Sequence, residues 1–286
     1  MQPHLKYLNP YRENEHWFKG NLHTRCAEHS GSTSIPLKQL LNKYTETRHD
    51  FIAITDHGHL TKVPDALRSE KILVIPGLEF GETRHLQLIG IDSMLHNDPR
   101  EAIQYTLEQN GLVILNHPNW QQPPHWTVDT ILELEKFDGI EIFNGIVDRL
   151  VGWSRATDVW DQVLSRGRRC WGFAVDGSHD LFDINRAWVW VQAKKCEPDL
   201  ILSALKQGSF YASTGVQIAE IRLIANKIHL ETAGETAFRF IGPGGKVLAT
   251  HLGSLAEYWI QGWEDYVRVE GWNRNGWFWT QPFWGD

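Results

Sequence analysis

Phe51-Ile-Ala-Ile-Thr-Asp-His-Gly58 sets the pattern of this chain: four apolar residues, then a hydroxyl, a carboxylate, an imidazole and a glycine. A short continuous apolar run bounded by turn residues predicts a strand buried on both faces. Polar residues at its C-terminal end stand where parallel α/β sheets gather their chemistry. The pattern recurs in chain order. Ile72-Leu-Val-Ile75 leads to Pro-Gly-Leu-Glu79, and His85-Leu-Gln-Leu-Ile-Gly-Ile91 is a third apolar run. Leu112-Val-Ile-Leu115 ends in Asn116-His-Pro118, Gly139-Ile-Glu-Ile-Phe143 ends in Asn144, and Trp171-Gly-Phe-Ala-Val175 ends in Asp176-Gly-Ser-His179.

Helical periods fill the intervals. Over Ser34–Thr47, Leu37, Leu40, Leu41 and Tyr44 share one face. Asp98-Pro-Arg-Glu101 reads as an N-cap, a proline at the first helical position and a Glu three residues after the cap. That helix stops near Gly111. Val128–Lys136, Arg155–Arg166 and Pro198–Gln207 predict three more, and Ala187–Val191 a further strand. Strands alternating with helices predict a parallel sheet, open or closed into a barrel, over residues 1–215. After Gly215 no helical period persists. Ala219–Ile224, Ala237–Ile241 and Tyr266–Val269 alternate with Gly and Pro turns, which predicts a small antiparallel β domain over 216–286. Trp272 to Trp284 are assigned to core and interface packing there.

The charge balance narrows the function classes. The net charge is −7 and no basic run stands out, which disfavours binding to duplex nucleic acid. Cys26, Cys170 and Cys196 are too few and too scattered for a disulfide framework or a cysteine zinc site, as in a reducing cytoplasm. Met1 to Lys19 carries no apolar run of signal-peptide or membrane-span length, so a cytoplasmic, membrane-free protein is expected.

His23, Asp56, His57, Glu79, His117, Asp176 and His179 each follow an apolar strand core. Any one alone is more often turn chemistry. Together, imidazoles and carboxylates converging on one face suit zinc, manganese or iron. A carboxylate such as Glu79 can bridge two ions, and paired ions can clamp a phosphoryl group. Arg149, Arg155 and Arg186 lie near strands but read first as surface charges. Cys26 with His29 as its base is a minor nucleophile candidate. His4, His16, His49, His59, His96, His125, His229 and His251 fit no pattern and are read as ordinary surface or turn histidines.

The sequence resembles the polymerase-and-histidinol-phosphatase (PHP) metal-dependent phosphoesterase family. The matching stretches are Gly20-Asn-Leu-His23, Ile54-Thr-Asp-His57, Pro76-Gly-Leu-Glu79, His85-Leu-Gln-Leu-Ile-Gly90, Asn116-His-Pro118, Gly139-Ile-Glu-Ile-Phe-Asn144 and Asp176-Gly-Ser-His179. Gly208-Ser-Phe-Tyr-Ala-Ser-Thr-Gly215 and Tyr266-Val-Arg-Val-Glu270 are similar to the tail of members with a C-terminal β domain. The resemblance implies a distorted (β/α)7 TIM-like barrel and two or three divalent ions. It implies one ion on His23, Glu79 and Asp176, a second on Glu79, His85 and His117, and a third on His57 and His179. Asp56 would orient a ligand or handle a proton.

The first motif departs from the family. Where members read His-x-His and then Ser-Asp-Gly, this chain has His23-Thr-Arg25 and His29-Ser30-Gly31. Arg has no acceptor lone pair and cannot ligate a metal, so two ion sites are each short of one ligand. Three readings stay open. Arg25 clamps a substrate phosphate, His29 or Glu28 moves in as a ligand, or the site has decayed. The resemblance implies hydrolysis of a small phosphorylated substrate, such as a nucleotide, by a metal-activated hydroxide, with Asp56 and Arg25 as catalytic residues. A weakened, non-catalytic binding protein is the alternative. A metal-dependent C–N hydrolase ranks third, since that class opens with His-x-His and adds a strand-end Lys.

Overall fold

The computed structural model describes residues 6–12, 15–120, 125–150 and 152–285. After β1 (Tyr7–Leu8) and β2 (His16–Thr24), strands and helices alternate: α1 (Leu37–Glu46), β3 (Phe51–Ile54), β4 (Leu73–Phe80), β5 (Leu86–Ile89), α2 (Pro99–Glu108), β6 (Leu112–Leu115), α3 (Val128–Leu132), β7 (Gly139–Asn144), α4 (Thr157–Ser165), β8 (Trp171–Val175), β9 (Trp188–Ala193), α5 (Pro198–Lys206) and β10 (Phe210–Ser213). Strands alone follow: β11 (Ile218–Ile224), β12 (Lys227–Gly242), β13 (Lys246–Trp259), β14 (Tyr266–Asn273), β15 (Gly276–Thr280) and β16 (Phe283–Gly285).

Local chemistry explains the element ends. In α1, Leu37, Leu40, Leu41 and Tyr44 are buried, and the helix opens only after Pro36, which holds an extended conformation. Asp98 caps α2 by accepting the backbone N–H groups of Arg100 and Glu101. The helix expected to run to Lys136 stops at Leu132. All four residues of β3 and of β6 are buried, as their continuous apolar runs require.

The sheet is mixed rather than parallel throughout. Strands β2, β3 and β4 are parallel, as are β6, β7 and β8, but β5 runs antiparallel to both β4 and β6. The link from β4 to β5 is residues 81–85, hairpin length, whereas a parallel crossover needs about a dozen residues or more. Strands β9 and β10 continue antiparallel beyond β2. The order β10-β9-β2-β3-β4-β5-β6-β7-β8 makes a curled half-barrel whose hydrogen-bonded path ends on β8. Inside it pack Leu22, Phe51, Ile75, Ile114, Phe173, Val189 and Phe210. Gly20 on β2 leaves its Cβ position to the ring of Phe51.

The strand-rich region is hydrogen-bonded to this half-barrel. β15 pairs with β10, with Tyr211 opposite Thr280 and Ala212 opposite Trp279. β14 joins β15, β12 and β16. On α4, buried Asp161 receives Arg268 of β14 in a bidentate pair, Nε–Oδ1 2.7 Å and Nη2–Oδ2 2.6 Å. No helix among the described residues is long and apolar enough to cross a membrane.

Candidate metal centre

Glu79 lies near the C-terminal end of β4 with its carboxylate fully buried. Four imidazoles surround it. From Oε1, His85 Nδ1 is 3.0 Å away, His117 Nε2 3.5 Å and His23 Nε2 3.6 Å. From Oε2, His57 Nε2 is 3.2 Å away. The Asn116 amide donates to Oε1 at 2.9 Å. Residues from β2 and from the loops after β3 and β6, together with the hairpin before β5, thus meet at one carboxylate.

Arg25 completes this shell and is itself buried. Its Nη2 contacts Glu79 Oε2 and lies 3.2 Å from His23 Nε2, while Nη1 contacts His179 Nε2 and donates to Ser32 Oγ at 3.1 Å. A permanent cation therefore stands among His23, Glu79 and His179, side chains that the family resemblance associates with ions. Burial alone would raise the Glu79 pKa, but Arg25 and then His23 outweigh it and hold the carboxyl well below its usual range.

Glu141, in the middle of β7, had no assigned role in the sequence. Its Oε1 is 2.6 Å from His23 Nδ1, and its Oε2 accepts the His117 N–H at 2.8 Å and the Asn144 amide at 2.9 Å. Burial opposes charge on His23, yet Glu141 and Glu79 raise its pKa to about 9. His117 has φ +29°, a conformation costly for a side chain of this size, and its bond to Glu141 helps hold it. The legible signal for Glu141 was a carboxylate inside an otherwise apolar strand.

The remaining candidates are placed as follows. Asp176 turns both oxygens to the backbone N–H groups of Asn185, Arg186 and Ala187 and to the Tyr44 hydroxyl. Asp56 accepts the Cys26 N–H at 2.8 Å and its thiol at 3.0 Å, and also contacts Thr61. Burial and Asp56 push the Cys26 thiol up, the opposite of what a thiolate nucleophile needs. Glu28 accepts the N–H of Leu37 at the start of α1, and His29 stacks on His59. Ser30 bonds Ser32. Arg149 forms a bidentate pair with Asp183, Arg155 lies over the Trp277 ring, and Arg186 reaches the Phe182 carbonyl. His4 is outside the described residues.

Several donors remain open. Among the described residues, His117 Nδ1 and His125 Nδ1 are buried without a hydrogen-bond partner, and His85 Nδ1 and His117 Nε2 have none beyond their ion-pair contacts with Glu79 Oε1. Burial lowers the pKa of His57 to about 4 and also lowers that of His117, so both imidazoles are neutral near pH 7. Buried imidazole nitrogens without hydrogen bonds, beside an ionised carboxylate, fit the donor set of a divalent transition ion.

Comparison with known proteins agrees with this fold. The chain is similar to a two-domain protein from Bacteroides vulgatus described as containing a predicted PHP-like metal-dependent phosphoesterase. The TM-score is 0.56 at 15% identity, over 96% of each chain. The fold of this protein is thus the PHP-like one, joined to a strand-rich second region. Two further structures align more distantly. PsfC from Pseudomonas syringae covers 65% of this chain and 87% of its own at 12% identity and TM-score 0.44. A lesion-specific endonuclease from Pyrococcus furiosus covers 67% and 56% at 14% identity and TM-score 0.47. No family model matches the sequence, and no curated protein does.

Proposed function

We propose that this protein is a metal-dependent hydrolase of phosphate esters. The observation that carries the reading is the buried, ionised Glu79 ringed by His23, His57, His85 and His117, with unpartnered nitrogens on the last two. Glu79, His57, His85 and His117 would hold the metal. A bound divalent ion supplies Lewis-acid charge for a phosphoryl group and lowers the pKa of water. The protein's own residues set the frame. Glu141 orients His23 and the backbone of His117, Asn116 fixes one oxygen of Glu79, and Arg25 neutralises the other.

Two exposed aromatic side chains bear on the substrate. Trp153 follows β7 and Phe182 follows β8, and they are 73% and 84% exposed. Both loops leave the C-terminal ends of parallel strands, the end of the sheet that carries the site. Flat apolar faces at the same end of the sheet as a phosphate site suit a phosphorylated compound with a planar group, such as a nucleotide.

One observation favours a second reading, a binding protein without turnover: the Arg25 guanidinium lies among groups that an ion would use. The deciding experiment is turnover of a nucleoside monophosphate and a phosphodiester with manganese, zinc or iron supplied, against the Glu79→Gln variant. Turnover in the wild type that disappears in the variant supports the hydrolase. Retained metal with no turnover on either ester supports the binding protein.

A further inference from the structure

His125 stands outside every motif described above, yet its ring faces the metal centre. It lies on the loop between β6 and α3, with its centroid 4.7 Å from that of His85 and 4.8 Å from that of His117. One ring nitrogen from each of these three histidines can be chosen so that all lie within 4.8 Å of one another. Trp120 stacks on His125 at 5.2 Å and packs edge-on against His117, which fixes both rings. Each of the three imidazoles carries at least one buried nitrogen without a hydrogen-bond partner among the described residues.

Unpaired buried polar atoms are costly, and three neighbouring imidazoles that each carry one call for a partner they could share. Neutral imidazoles could pair through N–H···N bonds, but among the described residues these three make none with one another, and each keeps a lone-pair nitrogen. A cation with vacant orbitals can accept a lone pair from each of the three. We infer that His85, His117 and His125 form a three-histidine metal site, with Glu79 Oε1 beside it, and that this site selects a borderline ion, zinc, over magnesium or manganese. The selectivity follows from ligand chemistry: imidazole nitrogen suits zinc, whereas carboxylate, carbonyl and water suit the harder ions.

The inference rests on the metal-dependent reading above and adds to it a ligand and a metal class. The arrangement also compensates for Arg25. The guanidinium occupies the Oε2 side of Glu79, while His85 and His117 of the triplet approach Oε1. The ion is thereby kept away from the permanent charge.

The test reads binding, not turnover. Zinc affinity of the metal-free full chain is measured by competition with a chromophoric chelator for wild type, His125→Ala and His59→Ala. Loss of a ligand should weaken zinc by more than about a hundredfold, beyond the roughly 10–100-fold that a lost orienting partner costs, while His59→Ala leaves it unchanged. Wild type should prefer zinc to manganese, and His125→Ala should narrow that preference. His125→Cys gives a positive signal that does not depend on a loss. With cobalt(II) bound, a ligating thiolate adds a near-ultraviolet charge-transfer band that wild type lacks. Equal zinc affinity in wild type and His125→Ala, or cobalt binding to His125→Cys without that band, overturns the inference and leaves the hydrolase reading standing. Failure of the wild type to bind zinc, cobalt or manganese overturns both.

Discussion

The guanidinium of Arg25 rests on one oxygen of Glu79, and the imidazoles of His85 and His117 approach the other. One carboxylate thus serves a tethered cation on one oxygen and imidazole nitrogens on the other. Both terminal nitrogens of Arg25 are engaged by protein groups, namely Ser32, His179, His23 and Glu79. Such a fork has little left for a substrate phosphate. The geometry adds a fourth reading to the clamp, the replacement ligand and the decayed site: Arg25 as an internal counter-charge to Glu79.

This assignment predicts the response to replacing Arg25. Arg25→His together with Ser30→Asp removes the tethered cation and supplies two ligand-type side chains, so bound metal per chain should rise in elemental analysis. Arg25→Met removes the charge alone. Breaking a buried ion pair from one side costs roughly 3–5 kcal/mol, so the metal-free Met variant should melt well below wild type. Added zinc should recover part of that loss. A Met variant as stable as wild type without metal would contradict the counter-charge role.

Glu79 should be the most sensitive single position for metal retention. It is the fully buried carboxylate among the four imidazoles, whereas the His57 side chain is 37% exposed on the rim. Elemental analysis after dialysis should find less metal in Glu79→Ala than in His57→Ala. Near-full retention in both would rule out the assigned centre.

Glu141 should act through His23 and His117 rather than on an ion directly. Glu141→Gln keeps the shape but weakens the hold on His23 Nδ1, and a change of this kind lowers metal affinity about 10–100-fold. If the group only supports folding, thermal stability would fall while metal affinity per folded molecule stayed constant. Measuring both separates the roles.

The buried Arg268–Asp161 pair ties β14 to α4. Arg268→Met should destabilise the whole chain by roughly 3–5 kcal/mol, because Asp161 is left buried with its charge uncompensated. A chain cut near Gly215 exposes the edge of β10 along with Asp161, and it should aggregate rather than persist as a free metal-binding unit. A soluble, metal-binding fragment 1–215 would instead support two independent domains.

Much of the centre was legible because strand-end position is written in the sequence. Apolar runs end in His57 and His117, Glu79 lies near the end of the longer β4, and the structure brings these three together with His23 and His85. Asp56 and Asp176 carry the same signal but face the backbone and neighbouring hydroxyls, since a strand-end carboxylate can as readily tie down a loop as hold an ion. Glu141 was hidden in an apolar strand, and His125 lies on a loop whose course no periodicity encodes. The mixed sheet was missed because apolar runs give strand positions but not directions. Only the short link between β4 and β5 carried that information. The 16-residue β12 was legible only in part, because the exposed Ala233-Gly-Glu235 interrupts its alternation.

The pairing of β10 with β15 has a consequence for how the protein is made. Tyr211 finds its neighbour only when Thr280 is present, so the curled sheet cannot cover that edge while the chain between them is still being synthesised. Pairings of such long sequence separation form slowly, and in the interval β10 is an open edge beside apolar Phe210 and Ala212. The nascent chain therefore passes through a sticky stage that the finished protein does not display. Its yield in a cell should respond to chaperone supply more than its final stability suggests.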